Sequence, residues 1–141
     1  MRWILALWLM ALPVTAWAEI GQIKLLTGQA SVERNAKIIP AKKGMLVEIA
    51  DVIITGKDGR VGITFKDNTR FAAGPNSHIE LTEFIFNPTI RKGSFITTVE
   101  RGTLAIVSGD IAKFQPDAMK VRTPSSILGV RGTKFLVKVG P

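Results

Sequence analysis

The 141-residue chain contains no cysteine and no tyrosine, a single histidine and only 11 Asp and Glu residues. Without cysteine there is no disulfide, no thiolate metal site and no cysteine nucleophile, so the fold has to rest on hydrophobic burial and backbone hydrogen bonds. His78 has no second histidine to complete a typical zinc site. A serine triad would need His78 to meet Ser77, Ser94, Ser125 or Ser126 across the fold, and no G-x-S-x-G turn is present. Asp51, Asp58 and Asp67 are separated by whole strand-like segments and lack the dense D-x-D-x-D-G spacing that wraps a calcium ion. No metal, cofactor or catalytic residue is expected, and the chain reads as a non-enzyme. With no tyrosine, and basic residues scattered as singlets and pairs such as Lys42-Lys43 and Arg91-Lys92, it offers no platform for stacking bases, so nucleic acid is not an expected partner.

Long apolar runs are scarce as well. The one that exists opens the chain: Arg2 gives a positive start, Trp3 to Val14 is almost wholly apolar, and Ala16-Trp17-Ala18 is a small-x-small cleavage pattern before Glu19. The run is about 12 residues, against roughly 20 for a helix that spans a bilayer. Residues 1–18 are therefore expected to be a cleaved export signal and 19–141 a single domain, periplasmic or secreted, with no transmembrane segment. The formal net charge is +8, or +7 without Arg2. Solvated strand faces account for basic residues of this kind, and beyond that the charge favours anionic envelope polymers, lipids or an acidic partner.

What is abundant is short-range alternation. Val61-Gly62-Ile63-Thr64-Phe65, Ile79-Glu80-Leu81, and Phe135, Val137 and Val139 around Lys138 each put apolar residues on one face. The pattern predicts strands at Gly21 to Leu26, Gln29 to Arg34, Val52 to Thr55, Arg60 to Phe65, Thr69 to Ala72 and Ser77 to Phe86. Further strands are predicted at Ser94 to Glu100, Thr103 to Val107, Lys120 to Arg122, Ile127 to Val130 and Thr133 to Val139, with turns at Asp67-Asn68, Gly74-Pro75-Asn76 and Arg101-Gly102 among others. Helical periodicity is confined to a turn or two near Ile111 to Phe114. The fold class is all-β, with a β-helix, a roll and a sandwich all compatible with strands covered on one side.

The stretch Val121-Arg-Thr-Pro-Ser-Ser-Ile-Leu-Gly-Val-Arg-Gly-Thr-Lys-Phe-Leu-Val poses the functional question. Its two glycines are too close together for a phosphate-binding P-loop, and they lead into a strand where such a loop requires a helix. It resembles the carboxyl-terminal signature of the FecR-like domain family, V-x-T-P-x-x-x-x-x-V-R-G-T-x-F-x-V. Asp51-Val-Ile-Ile-Thr-Gly-Lys-Asp-Gly-Arg-Val-Gly-Ile-Thr-Phe-Lys-Asp-Asn-Thr resembles that family's central block, and Gly28-Gln-Ala-Ser-Val-Glu-Arg, Gly74-Pro-Asn-Ser-His-Ile-Glu-Leu and Lys92-Gly-Ser-Phe resemble its flanking strands. Two positions depart from the pattern: Ala50 and Asn68 stand where the family often has glycine.

The resemblance implies an extracytoplasmic β-domain, β-helix-like or roll-like, that senses or binds, a role compatible with signal transduction. The expected partner is another envelope protein, and an anionic glycan is the alternative. Thr123, Pro124, Gly129, Val130, Arg131, Gly132, Thr133 and Phe135 are expected to be structural, with Pro124 ending a strand, the glycines permitting a turn, Phe135 in the core and Arg131 bonded to neighbouring carbonyls.

Overall fold

The computed structural model describes residues 19–140; the expected export signal lies outside the described residues. Period-two alternation is realised as strands β1 (Glu19–Thr27), β2 (Ala30–Arg34), β3 (Lys37–Pro40), β4 (Leu46–Glu48), β5 (Val52–Thr55), β6 (Arg60–Phe65) and β7 (Arg70–Ala73). After these come β8 (His78–Asn87), β9 (Lys92–Val107), a short helix α1 (Asp110–Phe114), β10 (Met119–Arg122), β11 (Ile127–Gly129) and β12 (Lys134–Val139). The strands form one curled sheet in the order β3-β2-β5-β8-β9-β7-β6-β1-β4, with β10 and β12 both bonded to β9 and β11 bonded to β10. Every pairing is antiparallel except that of β10 with β9. The fold is therefore the roll-like one of the expected all-β class, whose antiparallel ladders differ from the stacked parallel coils of a β-helix.

One strand organises the roll. The first part of β9 pairs with β8 on one side and β10 on the other, while its second part pairs with β7 and β12. Sequence reading places a turn at Arg101-Gly102; the chain instead continues extended and bends there. The β8–β9 register slips between His78 and Ile79, and Gly102 adopts φ +95°, a left-handed conformation open to glycine. A corner and a turn carry the same local signal. Only the continuing partner strands on both sides show that this one is a corner, which folds two layers over one core.

Between those layers lie the inward residues of the alternation, with Phe95 fully buried at the centre. The Phe95 ring meets Phe65 at 4.8 Å and Phe84 at 4.9 Å edge to face, and Phe65 meets Phe71 at 4.7 Å in the same manner. Each such pair contributes about 0.5–1.5 kcal/mol beyond burial alone. Two strands escape the sequence reading. β3 is exposed along its whole length, so it lacks the apolar-in, polar-out contrast, and β4 has only three residues. The β2–β3 hairpin turns through Asn35 and Ala36, both at positive φ, where Ala36 occupies a place usually filled by glycine.

Candidate functional site

Buried polar side chains are where chemistry would be expected, and here all but Thr97, whose hydroxyl donates across the β8–β9 ladder to the Glu80 carbonyl at 2.8 Å, are engaged in holding turns. Asp51, 1% exposed and just ahead of β5, accepts a fork from Arg34 at the end of β2, with Nε to Oδ1 at 2.9 Å and Nη2 to Oδ2 at 2.7 Å. It also accepts the Glu48 backbone N–H at 2.9 Å, and Glu48 Oε2 lies 3.3 Å from Arg34 Nε. The hydrogen bonds to Asp51 hold the Arg34 guanidinium above its ordinary pKa despite partial burial, so it stays charged. Ala50, immediately before, has φ +72°. The family's glycine preference at this position thus has a conformational cause, and alanine is strained there.

A second knot centres on Asp67, which is fully buried. It accepts hydrogen bonds from the Thr69 backbone at 3.1 Å, the Thr69 hydroxyl at 2.7 Å and the Ile111 N–H at 3.1 Å, while Thr69 Oγ1 accepts the Gly109 N–H at 3.1 Å. The β6–β7 turn is thereby clamped to the start of α1. Asn68 at its apex has φ +68°, a conformation that asparagine tolerates better than most residues. In a third knot, Thr55 Oγ1 donates to the Gly74 carbonyl at 2.7 Å and accepts the Ser77 N–H at 2.9 Å. Ser77 Oγ donates to the same carbonyl at 2.9 Å and accepts the Thr103 N–H at 3.0 Å. No buried side-chain nitrogen or oxygen among the described residues lacks a partner.

The other residues considered for chemistry are dispersed. His78 sits in β8 opposite Ile54 and Arg101, Ser94 donates to Glu83 at 2.7 Å, and Ser125 and Ser126 lie on an exposed turn. Asp58 accepts the Gln29 N–H at 3.2 Å. Among the described residues no group of three or more His, Cys, Asp or Glu is gathered as a metal site would require.

The carboxyl-terminal motif, in contrast, is largely at the surface. Thr123 closes the β10–β11 hairpin: its N–H donates to the Ser126 carbonyl at 2.8 Å and its hydroxyl accepts the Ser126 N–H at 3.1 Å, with Pro124 exposed at the tip. Val130 is buried and donates its N–H to Met119 at 3.0 Å. Gly132 has φ +84°, whereas Gly129 is at neither a positive φ nor a crowded position, so only one of the two glycines is demanded by the backbone. The Gly132 and Thr133 carbonyls accept the Ser108 hydroxyl and N–H at 2.7 and 2.8 Å. Ser108, which the sequence does not single out, is therefore the residue that ties this loop to the end of β9. Phe135 is half-buried against the core. Arg131 is exposed and its side chain makes no hydrogen bond to a described residue.

Around the motif lie the groups a partner would meet. Ile127 is 66% and Leu136 68% exposed, and a cleft of about 420 Å³ opens between the β10–β11 hairpin and β12, lined by Thr123, Ser126, Leu128, Leu136 and Lys138 among others. Among the described strands β11 bonds only to β10, and β12 only to β9, so each presents an unpaired edge.

The described residues thus form a curled all-β domain whose exposed motif borders open strand edges. The family model described as FecR protein matches residues 51–141, and the chain belongs to the FecR family. That family is one of non-enzymatic signal-transduction regulators. No curated protein and no solved structure matches the chain.

Proposed function

We propose that this protein is an exported, non-enzymatic sensing module that captures an extended segment of an envelope protein along the free edges of β11 and β12. The observation that carries this reading is the cleft between the β10–β11 hairpin and β12, apolar at Leu128 and Leu136 and flanked by two unpaired edges. An added strand would satisfy those edges by main-chain hydrogen bonds, while alternate side chains fill the cleft and supply specificity. Export follows from the amino-terminal pattern that ends at Ala18, which would deliver the domain to the compartment where such partners reside. Arg131, exposed in the loop between β11 and β12, is available to a carboxylate of the partner.

The test is co-purification from envelope extract with the parent and with Leu128→Arg, a substitution at a partly exposed position. A partner retained by the parent in high salt and lost by a variant with an unchanged melt supports strand capture. Salt-labile retention on anionic polysaccharide, equal for parent and variant, would replace it with charge-driven glycan binding.

A further inference from the structure

The outward face of the layer built from β1, β6, β7, the second part of β9 and β12 has a composition unlike the rest of the molecule. In register across these five strands lie Leu25, Gly62, Ala72, Ala105 and Leu136. Strands about 4.8 Å apart make this row about 19 Å long. Its floor of small residues forms an open trough of about 300 Å³, and its two end leucines stand 54% and 68% exposed. The paired segments 21–27, 60–65, 70–73, 102–107 and 134–139 contain Lys24, Arg60, Arg70, Lys134 and Lys138, all exposed, and no acidic residue. The opposite layer carries Glu33, Glu80, Glu83 and Glu100 in its strands. That opposite layer has cations too, Arg34, Lys37, Lys92, Arg101, Lys120 and Arg122, but interleaved with those carboxylates; the cations of the first face have no acidic neighbour in its paired segments, and the face also displays large apolar side chains at its edges.

We infer that this face docks on an anionic lipid surface, with Leu25 and Leu136 entering the boundary between headgroups and acyl chains and the five cations facing lipid phosphates. Exposed leucines ringed by Lys and Arg form the two-part signal of reversible membrane attachment, in which apolar insertion and electrostatic attraction are each too weak alone. A soluble acidic protein would meet the same cations but gives no reason for leucines held apart at the two ends of a floor of small residues. The inference goes beyond partner capture, since it uses the sheet face and leaves the β11 edge uncovered.

Flotation of the purified protein with phosphatidylcholine vesicles, with and without about one-third phosphatidylglycerol, tests it. The parent should float only with the anionic vesicles and detach as salt rises. Arg70→Gln with Lys134→Gln should weaken binding about 25-fold, at about fivefold for each lost cation. Leu25→Ser should weaken it by about tenfold. Lys37→Gln with Lys92→Gln removes the same charge from the other layer and should stay within about twofold of the parent if attraction is local to the face. Equal loss in both double variants, flotation with neutral vesicles, or no flotation of the parent would overturn the inference. Since Leu128 lies off this face, none of these outcomes alters the result expected for Leu128→Arg in the extract.

Discussion

Three glycines allow backbone conformation, crowding and hydrogen bonding to be separated in one experiment. Gly102, at the corner of β9, has φ +95°, and a Cβ there would overlap Ser77, both its hydroxyl and its main chain. Replacement by alanine carries about 1–3 kcal/mol of backbone strain. It also displaces the Ser77 hydroxyl that accepts the Thr103 N–H at 3.0 Å, which adds about 1–3 kcal/mol for a donor left without a partner. With the shift of the Ser77 main chain, Gly102→Ala should cost about 3–6 kcal/mol, a large part of the roughly 5–15 kcal/mol of a whole domain. Gly132 has φ +84° and no atom within 4 Å of such a Cβ, so Gly132→Ala should cost only the conformational part, about 1–2 kcal/mol. Gly129, in β11 with open space and no positive φ, should be neutral or slightly stabilised by alanine. Urea unfolding is best followed by far-UV circular dichroism, because Trp3, Trp8 and Trp17 all lie within residues 1–18 and the chain has no tyrosine. With unchanged slopes, the midpoints give the three differences directly. Equal costs for Gly102→Ala and Gly132→Ala would refute the assignment of the corner to contact with Ser77.

Other substitutions probe the knots and the motif. Ala50→Gly should stabilise the fold by about 0.5–1 kcal/mol net, relief of left-handed strain being partly offset by the greater freedom of glycine when unfolded, as read from the urea midpoint. Asp51→Ala, which removes the acceptor of the Glu48 N–H and leaves the partly exposed Arg34 only Glu48, should cost about 1–3 kcal/mol, and a variant that also carries Arg34→Met should recover part of that loss. Phe95→Ala should cost about 3–5 kcal/mol and the half-buried Phe135→Ala about 1–2 kcal/mol in the same assay. Arg131→Ala, exposed and without a side-chain hydrogen bond, should melt with the parent; a melt lowered by several degrees would assign it a structural role instead. Mass spectrometry of protein recovered from an envelope fraction should find Glu19 at the amino terminus, and intact Met1 in the cytoplasm would remove the case for export.

The all-β class was legible because alternation is a short-range property, and β5 and β6 begin and end where their apolar periods do. What could not be read locally was whatever depends on a distant neighbour. Arg101-Gly102 looks like a hairpin turn until β7 and β8 are seen to run end to end along β9. β3 and β4 are edge strands: β3 is exposed throughout, and β4, with Val47 buried between Leu46 and Glu48, is too short to display an alternation. At the motif, Val130 and the Thr123 turn follow from residue type and spacing. The anchoring of Gly132 and Thr133 by Ser108 does not, because a serine 24 residues upstream has no signal that marks its target. Arg131 shows the converse limit: sequence context suggested an arginine bonded to carbonyls, yet the loop is held without it.

The division of labour among the family's blocks follows from the same geometry. Asp51, Thr55, Asp67 and Thr69 in the central block and Ser77 in the block after it each satisfy backbone groups that two layers would otherwise bury unpaired, a cost of about 1–3 kcal/mol per group. The surfaces proposed for binding lie at the periphery, where backbone edges and apolar side chains face outward. The two candidate surfaces differ in kind: the edges of β11 and β12 offer unpaired hydrogen bonds, which suit a polypeptide, whereas the face of β1, β6, β7, β9 and β12 offers outward-pointing charge and leucines, which suit a lipid surface. A domain bearing both could be held at a membrane while its β11 edge remains open to a protein, Leu136 being common to the two surfaces. The Leu128 and Arg70/Lys134 variants should then fail independently, each in its own assay.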